Sequence, residues 1–360
     1  MTLTLSDYFL TDMPFIDIST LNPYSRDVRL NGQVFIEDGS KPKLEKMLNR
    51  IKNGETITYV SSTTTTKGTG KSAMMAAAYW QLEDKKRPAL WTSIQGGRTS
   101  NALVGRILDS AIKYGFVKKI IEKIKDPSES NLSKIIDKYE HPPSPGIVGG
   151  LVKVLEATDW EMAAKLSRIK VSIANYGPIE VFGYFLYLVH SAFDASPTIF
   201  IDQFEDYVQA QFGTQNLQRL SDDWRSLLEA CRQKASLVVS IHDEAEGILR
   251  SLPNSRLAPV NPLSRIIIDP ITEDQGIRLT AEYMKHFRPP NYKNTKLYPF
   301  EDDCIQYLVR KTAGNPRYLI AALRQLLISA AERDTKAISL KFVKTPEVEG
   351  SIFVAGPVPS

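Results

Sequence analysis

The run Thr65-Thr66-Lys67-Gly68-Thr69-Gly70-Lys71-Ser72 constrains this chain more than any other feature. Before it, Thr56 to Val60 is β-branched and aromatic and reads as a buried strand; after it, Ser72 to Glu83 is rich in Ala and Met and reads as a helix. Strand, glycine turn and helix are the context a phosphate-binding loop requires. Glycines let the backbone turn tightly, so that successive N–H groups face phosphate oxygens, and the helix start sets its positive dipole end beneath them. Thr66, Lys67, Gly68, Thr69 and Gly70 are therefore expected around the phosphates. Lys71 is expected on the β- and γ-phosphates and the Ser72 hydroxyl on Mg²⁺, with ATP as the nucleotide. The pattern opens with glycine where this chain has Thr65, whose Cβ is expected to strain the loop entrance or weaken binding.

A second segment supplies the opposite charge. Thr198-Ile199-Phe200-Ile201-Asp202 is an apolar strand that ends in a carboxylate. Such a strand can lie beside the phosphate-loop strand and present Asp202 to Mg²⁺, directly or through water. Hydrolysis also needs a group that activates the attacking water. Glu205 is the better candidate base, Asp206 follows, and Gln203 can orient water but take no proton. A further short strand, Ala89 to Ser93, lies between the two motifs.

The remaining pattern organises the chain. Residues 1–50 read as an extended lead-in and a helix, and 51–270 as an α/β domain with a parallel sheet flanked by helices. Within it, 115–178 is broken by Pro127, Pro142, Pro143, Pro145, Gly146, Gly149 and Gly150 and reads as an insertion with its own short helices, decorating the surface rather than forming a separate domain. Residues 271–343 carry three helix candidates, the first opened by a Thr272/Gln275 capping box, and read as a small all-α domain. Residues 344–360 read as a flexible tail.

Composition narrows the function classes. Lys plus Arg is 45 against 41 Asp plus Glu, a net charge of +4, which neither demands nor forbids nucleic acid. The two cysteines, Cys231 and Cys304, lie too far apart in sequence for a C-x-x-C metal or redox site. The N-terminus lacks the basic-then-apolar order of a signal peptide. The longest apolar run, Val181 to Phe193, falls short of the ~20 residues a spanning helix needs. A cytoplasmic protein without a membrane contact is expected.

Together these residues resemble an AAA+ or STAND-type ATPase. Ile201-Asp202-Gln203-Phe204-Glu205 is similar to the second acidic motif of several STAND NTPases. Ala313-Gly314-Asn315-Pro316-Arg317, at a helix start, resembles the AAA+ lid of the origin-recognition and transposition-regulator kind. That resemblance implies a sensor-2 role for Arg317 on the γ-phosphate. It implies a sensor-1 strand at Leu237 to Ile241, with Ser240 or His242 as its polar residue. It implies an arginine finger, Arg256 or Arg265, reaching a neighbouring subunit's nucleotide, Arg256 being favoured. Origin-recognition proteins carry a winged-helix domain after the lid, and too few residues follow the lid here for one.

Three functions follow from this reading. The first is an ATPase that assembles with its own kind and acts as an ATP-gated switch or loader on a protein or nucleic-acid partner. The second is a STAND-type regulator in stress or phage-defence signalling. The third is a nucleotide-binding scaffold that hydrolyses little, which Thr65 and Gln203 motivate.

Overall fold

The computed structural model describes residues 3–15, 29–30, 34, 40–63, 68–93, 103–124, 126, 128–138, 145–156, 178–211, 217–242, 245, 265–293 and 295–353. In chain order, a 3₁₀ turn at Leu5–Tyr8 precedes α1 (Lys41–Lys52), β1 (Ile57–Ser62), α2 (Lys71–Asp84), β2 (Ala89–Ser93) and α3 (Leu103–Lys113). Then come α4 (Phe116–Ile124), α5 (Glu129–Ile136), α6 (Pro145–Glu156), α7 (Pro178–Phe193), β3 (Thr198–Asp202), α8 (Phe204–Gln211), α9 (Leu217–Cys231), β4 (Ser236–Ser240) and β5 (Arg265–Ile268). Only helices follow: α10 (Glu273–His286), α11 (Asp302–Lys311), α12 (Pro316–Glu332), α13 (Leu340–Val343) and α14 (Pro346–Phe353). The class is α/β followed by an all-helical region, as the sequence leads one to expect.

The strand order is β2-β3-β4-β1-β5. The pairs β1–β4, β2–β3 and β3–β4 are parallel. Parallel strands covered on both faces lose the alternating pattern and become continuously apolar, and β3 and β4 are buried at every position. The register sets Ser93 beside Asp202 and Val60 beside Ser240, so the carboxyl ends of β1 to β4 share one edge.

The described residues divide into two compact units. One comprises Glu45–Ser61 and Ala78–Ile266, the other Met1–Leu44, Ser62–Ala77 and Ile267–Ser360. In the first, Tyr79 meets Trp91 and Phe200 edge-on, and Trp91 stacks on Phe200 at 5.7 Å, which ties α2 to the middle of the sheet. The helix α7 is apolar nearly all round. It buries Val181, Phe182, Phe185, Leu186, Leu188 and Val189 and packs against α3, α4, α5, α6 and α9. The described part of 115–178 is therefore core rather than decoration. Phe116, Val117, Ile120, Leu132, Ile136 and Leu151 all lie in the same hydrophobic cluster as the sheet residues Ile199 and Val239. The three short helices of this stretch pack against α7, and Pro145, Gly146, Gly149 and Gly150 lie within α6 rather than between elements. Residues 157–177 lie outside the described residues.

The second unit has its own core, built from Leu279, Met284, Ile305, Leu308, Leu319, Leu323, Leu326 and their neighbours. The expected capping box opens α10: Gln275 N–H donates to Thr272 Oγ1 at 3.3 Å and Thr272 N–H to Gln275 Oε1 at 2.9 Å. Two stretches join this core against expectation. Tyr8, Leu10 and Phe15 are buried in it, the Tyr8 hydroxyl donates to the Thr335 carbonyl at 2.7 Å, and Arg288 donates to the carbonyls of Tyr8, Phe9 and Tyr298. At the other end, α14 forms where a flexible tail was expected. Val348 and Ile352, one helical turn apart, sit in the same core. The rest of that tail, 354–360, lies outside the described residues.

Candidate nucleotide site

The phosphate-loop residues Thr65, Thr66 and Lys67 lie outside the described residues, so the local geometry begins at Gly68. Gly68 and Gly70 have φ of +94° and +101°, in the left-handed region that only glycine adopts without strain. Gly68 is also hemmed in. A Cβ there would stand 2.7 Å from Arg317 Cβ and 3.0 Å from Asn315 Oδ1. The Arg317 N–H donates to the Gly68 carbonyl at 3.4 Å. The start of α12 thus rests on the glycine turn that opens the phosphate loop, and these residues all belong to the second unit.

The Gly-Asn-Pro-Arg segment explains itself residue by residue. Gly314 has φ +68°, and a Cβ on it would meet the Ile271 carbonyl at 2.6 Å, so the chain crosses residues 270–271 only with glycine here. The Gly314 carbonyl accepts from the Ile271 N–H at 2.9 Å. Asn315 is the N-cap: its Oδ1 accepts from the N–H groups of Arg317 at 3.0 Å and Tyr318 at 3.4 Å. Pro316 takes the first helical position, where it loses no hydrogen bond. Arg317 follows at the helix end that favours anions.

Lys71 begins α2 and is buried, as is Thr69. Thr69 Oγ1 is buried with no hydrogen-bond partner among the described residues. A buried hydroxyl left unsatisfied costs about 1–3 kcal/mol, and a ligand with acceptor oxygens removes that cost. The residues fit a phosphate chain: glycine turns, an orphaned hydroxyl, an ammonium and a helix start. The hydroxyl of Ser72, the second residue of α2, is a donor a hard cation such as Mg²⁺ takes.

The acidic residues gather in the first unit. Asp202 closes β3 at 1% exposure, and Glu205 sits in the first turn of α8 at 6% exposure. Between them Gln203 takes φ +58°, a left-handed turn that lets the helix start at once. Asp202 Oδ1 accepts from the Gln203 N–H at 3.0 Å and from the Ser240 hydroxyl at 2.8 Å. Ser240 Oγ in turn accepts from the Gln203 N–H at 2.8 Å. Ser93 Oγ donates to Gln203 Oε1 at 3.4 Å. His242, just beyond β4, brings Nε2 to 3.1 Å from Glu205 Oε1. Ser240 and His242 thus meet the two acids, one each. The sequence offered them as alternatives for a single role.

Of the two arginines considered for the trans position, Arg256 lies outside the described residues. Arg265 begins β5, and its Nε donates to Ser61 Oγ at 3.0 Å within its own unit. Among the described residues no cluster of His, Cys, Asp and Glu has metal-site geometry, and no helix is long and apolar enough to cross a membrane.

No protein-family profile matches the sequence, and no curated protein matches it. Solved structures do. The ORC2 protein of Aeropyrum pernix, in ADPNP–ADP complexes, superposes over 97% of this chain and 74% of its own length, with a TM-score of 0.54 at 8% identity. The Walker-type ATPase paby2304 of Pyrococcus abyssi covers 81% of this chain and 68% of its own, at 13% identity and a TM-score of 0.48. A chain of the Drosophila ORC bound to DNA covers 94% and 68%, at 13% identity and a TM-score of 0.43. At these identities likeness speaks of fold alone, and the weight rests on the first. The chain has an AAA+ P-loop ATPase fold, which it shares with that ORC2 structure.

Proposed function

We propose that this chain binds Mg-ATP and hydrolyses it, working as an ATP-gated switch or loader in an assembly of its own copies, on a protein or nucleic-acid partner. The observation that carries the reading is the seat of Arg317 on Gly68. An AAA+ lid senses nucleotide through an arginine at this helix start, and here the same residue's backbone is bonded to the glycine of the phosphate loop. The orphaned Thr69 hydroxyl supports it from the loop itself.

In this reading Thr66 to Gly70 wrap the phosphates with backbone N–H groups. Lys71 neutralises the β- and γ-phosphates, Ser72 and Asp202 hold Mg²⁺, and the Arg317 guanidinium meets the γ-phosphate. Mg²⁺ held by these residues would supply positive charge to the phosphate oxygens during transfer. Glu205 takes the proton of the attacking water as the new oxygen–phosphorus bond forms and the bond to the β–γ bridging oxygen breaks. Arg256 of a neighbouring copy adds the permanent positive charge that phosphoryl transfer uses.

The test pairs binding with turnover. Lys71→Ala is expected to lose tight Mg-ATP binding while keeping its far-UV circular dichroism and melting temperature. Glu205→Gln is expected to keep nucleotide binding and slow hydrolysis about 10²- to 10⁴-fold. Unchanged nucleotide affinity in folded Lys71→Ala refutes the phosphate-loop assignment. If Gln203→Ala stops turnover and Glu205→Gln does not, Gln203 is the residue that prepares the water.

A further inference from the structure

The pairing of His242 with Glu205 asks for an explanation that a nucleotide sensor does not give. A residue that reads the γ-phosphate keeps its polar atom for the ligand, yet His242 Nε2 is already 3.1 Å from Glu205 Oε1. Both side chains are nearly enclosed, at 11% and 8% exposure. The sheet brings them together: β3 and β4 are paired with Ile201 beside Val239, α8 leaves β3 after a one-residue turn, and α8 packs against β4. The residue two beyond the end of β4 then faces the first turn of α8. At this distance an imidazole with its proton on Nε2 can donate to Glu205 Oε1, and such a bond would fix the carboxylate's rotamer and offset part of the cost of burying its charge. Asp202 has the parallel arrangement, with Ser240 on its Oδ1. Each acid that ends or follows β3 is thus held by a residue that ends or follows β4.

We infer that His242 is a positioning residue for Glu205, holding the carboxylate by an Nε2–H hydrogen bond without touching the nucleotide or transferring a proton itself. The inference rests on the proposed reading of Glu205 as the base. It says that the carboxylate works only while the imidazole fixes the direction in which it receives the proton of water.

The experiment measures steady-state ATP hydrolysis and fluorescent-nucleotide affinity on the full chain, for wild type, His242→Phe, His242→Gln, Glu205→Gln and the double variant His242→Phe/Glu205→Gln. Phe keeps the ring's volume and removes its N–H, so kcat is expected to fall about 10- to 100-fold, the usual cost of losing an orienting partner, with KM and nucleotide affinity unchanged. Gln places an amide N–H at the reach of Nε2 and is expected to restore most of that loss; a merely space-filling role predicts the reverse order of the two variants. In the double variant the His242→Phe effect is expected to vanish, because residues that act as a unit are not additive. Melting temperatures accompany each variant, and rescue by Gln separates function from folding. The inference is overturned if His242→Phe leaves kcat unchanged, if it raises KM instead, or if it slows Glu205→Gln by the same factor as wild type. A wild-type protein that binds nucleotide and never turns it over removes the hydrolytic reading and this inference with it. A hydrolysing wild type indifferent to His242→Phe removes this inference alone.

Discussion

Ser240 shows how much one hydroxyl can organise. It accepts from the Gln203 N–H and donates to Asp202 Oδ1, both at 2.8 Å, in a fully buried setting. A hydrogen bond to a charged group contributes about 1.5–3 kcal/mol, and losing one partner leaves the other to bear the desolvation cost. Ser240→Ala is therefore expected to let the Asp202 carboxylate rotate and to raise the Mg²⁺ concentration needed for half-maximal ATPase activity by about 10- to 100-fold, as loss of an outer-shell ligand partner does. A Mg²⁺ titration of turnover checks it. An unchanged Mg²⁺ requirement would mean that Asp202 is fixed by its backbone neighbour Gln203 alone. Gln203 itself holds a left-handed backbone conformation that costs a non-glycine residue about 1–3 kcal/mol. That cost is the local consequence of starting α8 directly after Asp202, which is what sets Glu205 within reach of His242.

At the scale of elements, α12 serves two purposes that the chain cannot separate. Its apolar stripe of Leu319, Leu323, Leu326 and Ala330 is buried in the helical core, while its first turn rests on Gly68. The Arg317 N–H bond to the Gly68 carbonyl ties the helix start to the glycine turn. Asn315 caps the first turn of α12, its Oδ1 accepting hydrogen bonds from the N–H groups of Arg317 and Tyr318. Asn315→Ala is expected to cost about 1 kcal/mol of stability, typical of a lost N-cap, and to weaken nucleotide affinity in the same variant. Asn315→Ser, which restores a capping oxygen, is expected to recover the melting temperature. Calorimetry read beside nucleotide binding decides the matter: loss of stability with unaltered affinity would show that the turn on Gly68 is only structural. A second element-scale consequence is the place of α4, α5 and α6. Their stripes are short, but each meets α7, and three short amphipathic helices against one apolar helix make a core that none of them announces alone.

For the whole molecule, the proposed arginine in trans leads to a mixing experiment. Arg265 already donates to Ser61, which leaves Arg256 the better candidate for a neighbour's nucleotide. Arg256→Ala and Lys71→Ala proteins, each inactive alone, are expected to recover part of the wild-type ATPase rate when mixed, because some mixed interfaces hold one intact site. No recovery, with both proteins folded and Arg265→Ala behaving like Arg256→Ala, would favour a monomeric switch. What the sequence alone determined about this protein is local. The glycine turn at Gly68 and Gly70, the strand ending in Asp202, the capping box at Thr272 and the Gly-Asn-Pro-Arg helix start were legible because each depends on backbone conformation and hydrogen bonds within a few residues. The central strands β3 and β4 were legible because strands buried on both faces are dominated by apolar residues. Tertiary structure alone decided the partners: Ser240 for Asp202, His242 for Glu205, Gly68 for Arg317 and Thr335 for Tyr8. These residues are remote in sequence, and only the parallel crossovers that order the sheet, or the shared burial of the helices, bring them into contact. A lone serine, histidine or tyrosine carries no sign of the partner it will meet, since hydrogen bonding of this kind is chosen by position in space and not by spacing along the chain.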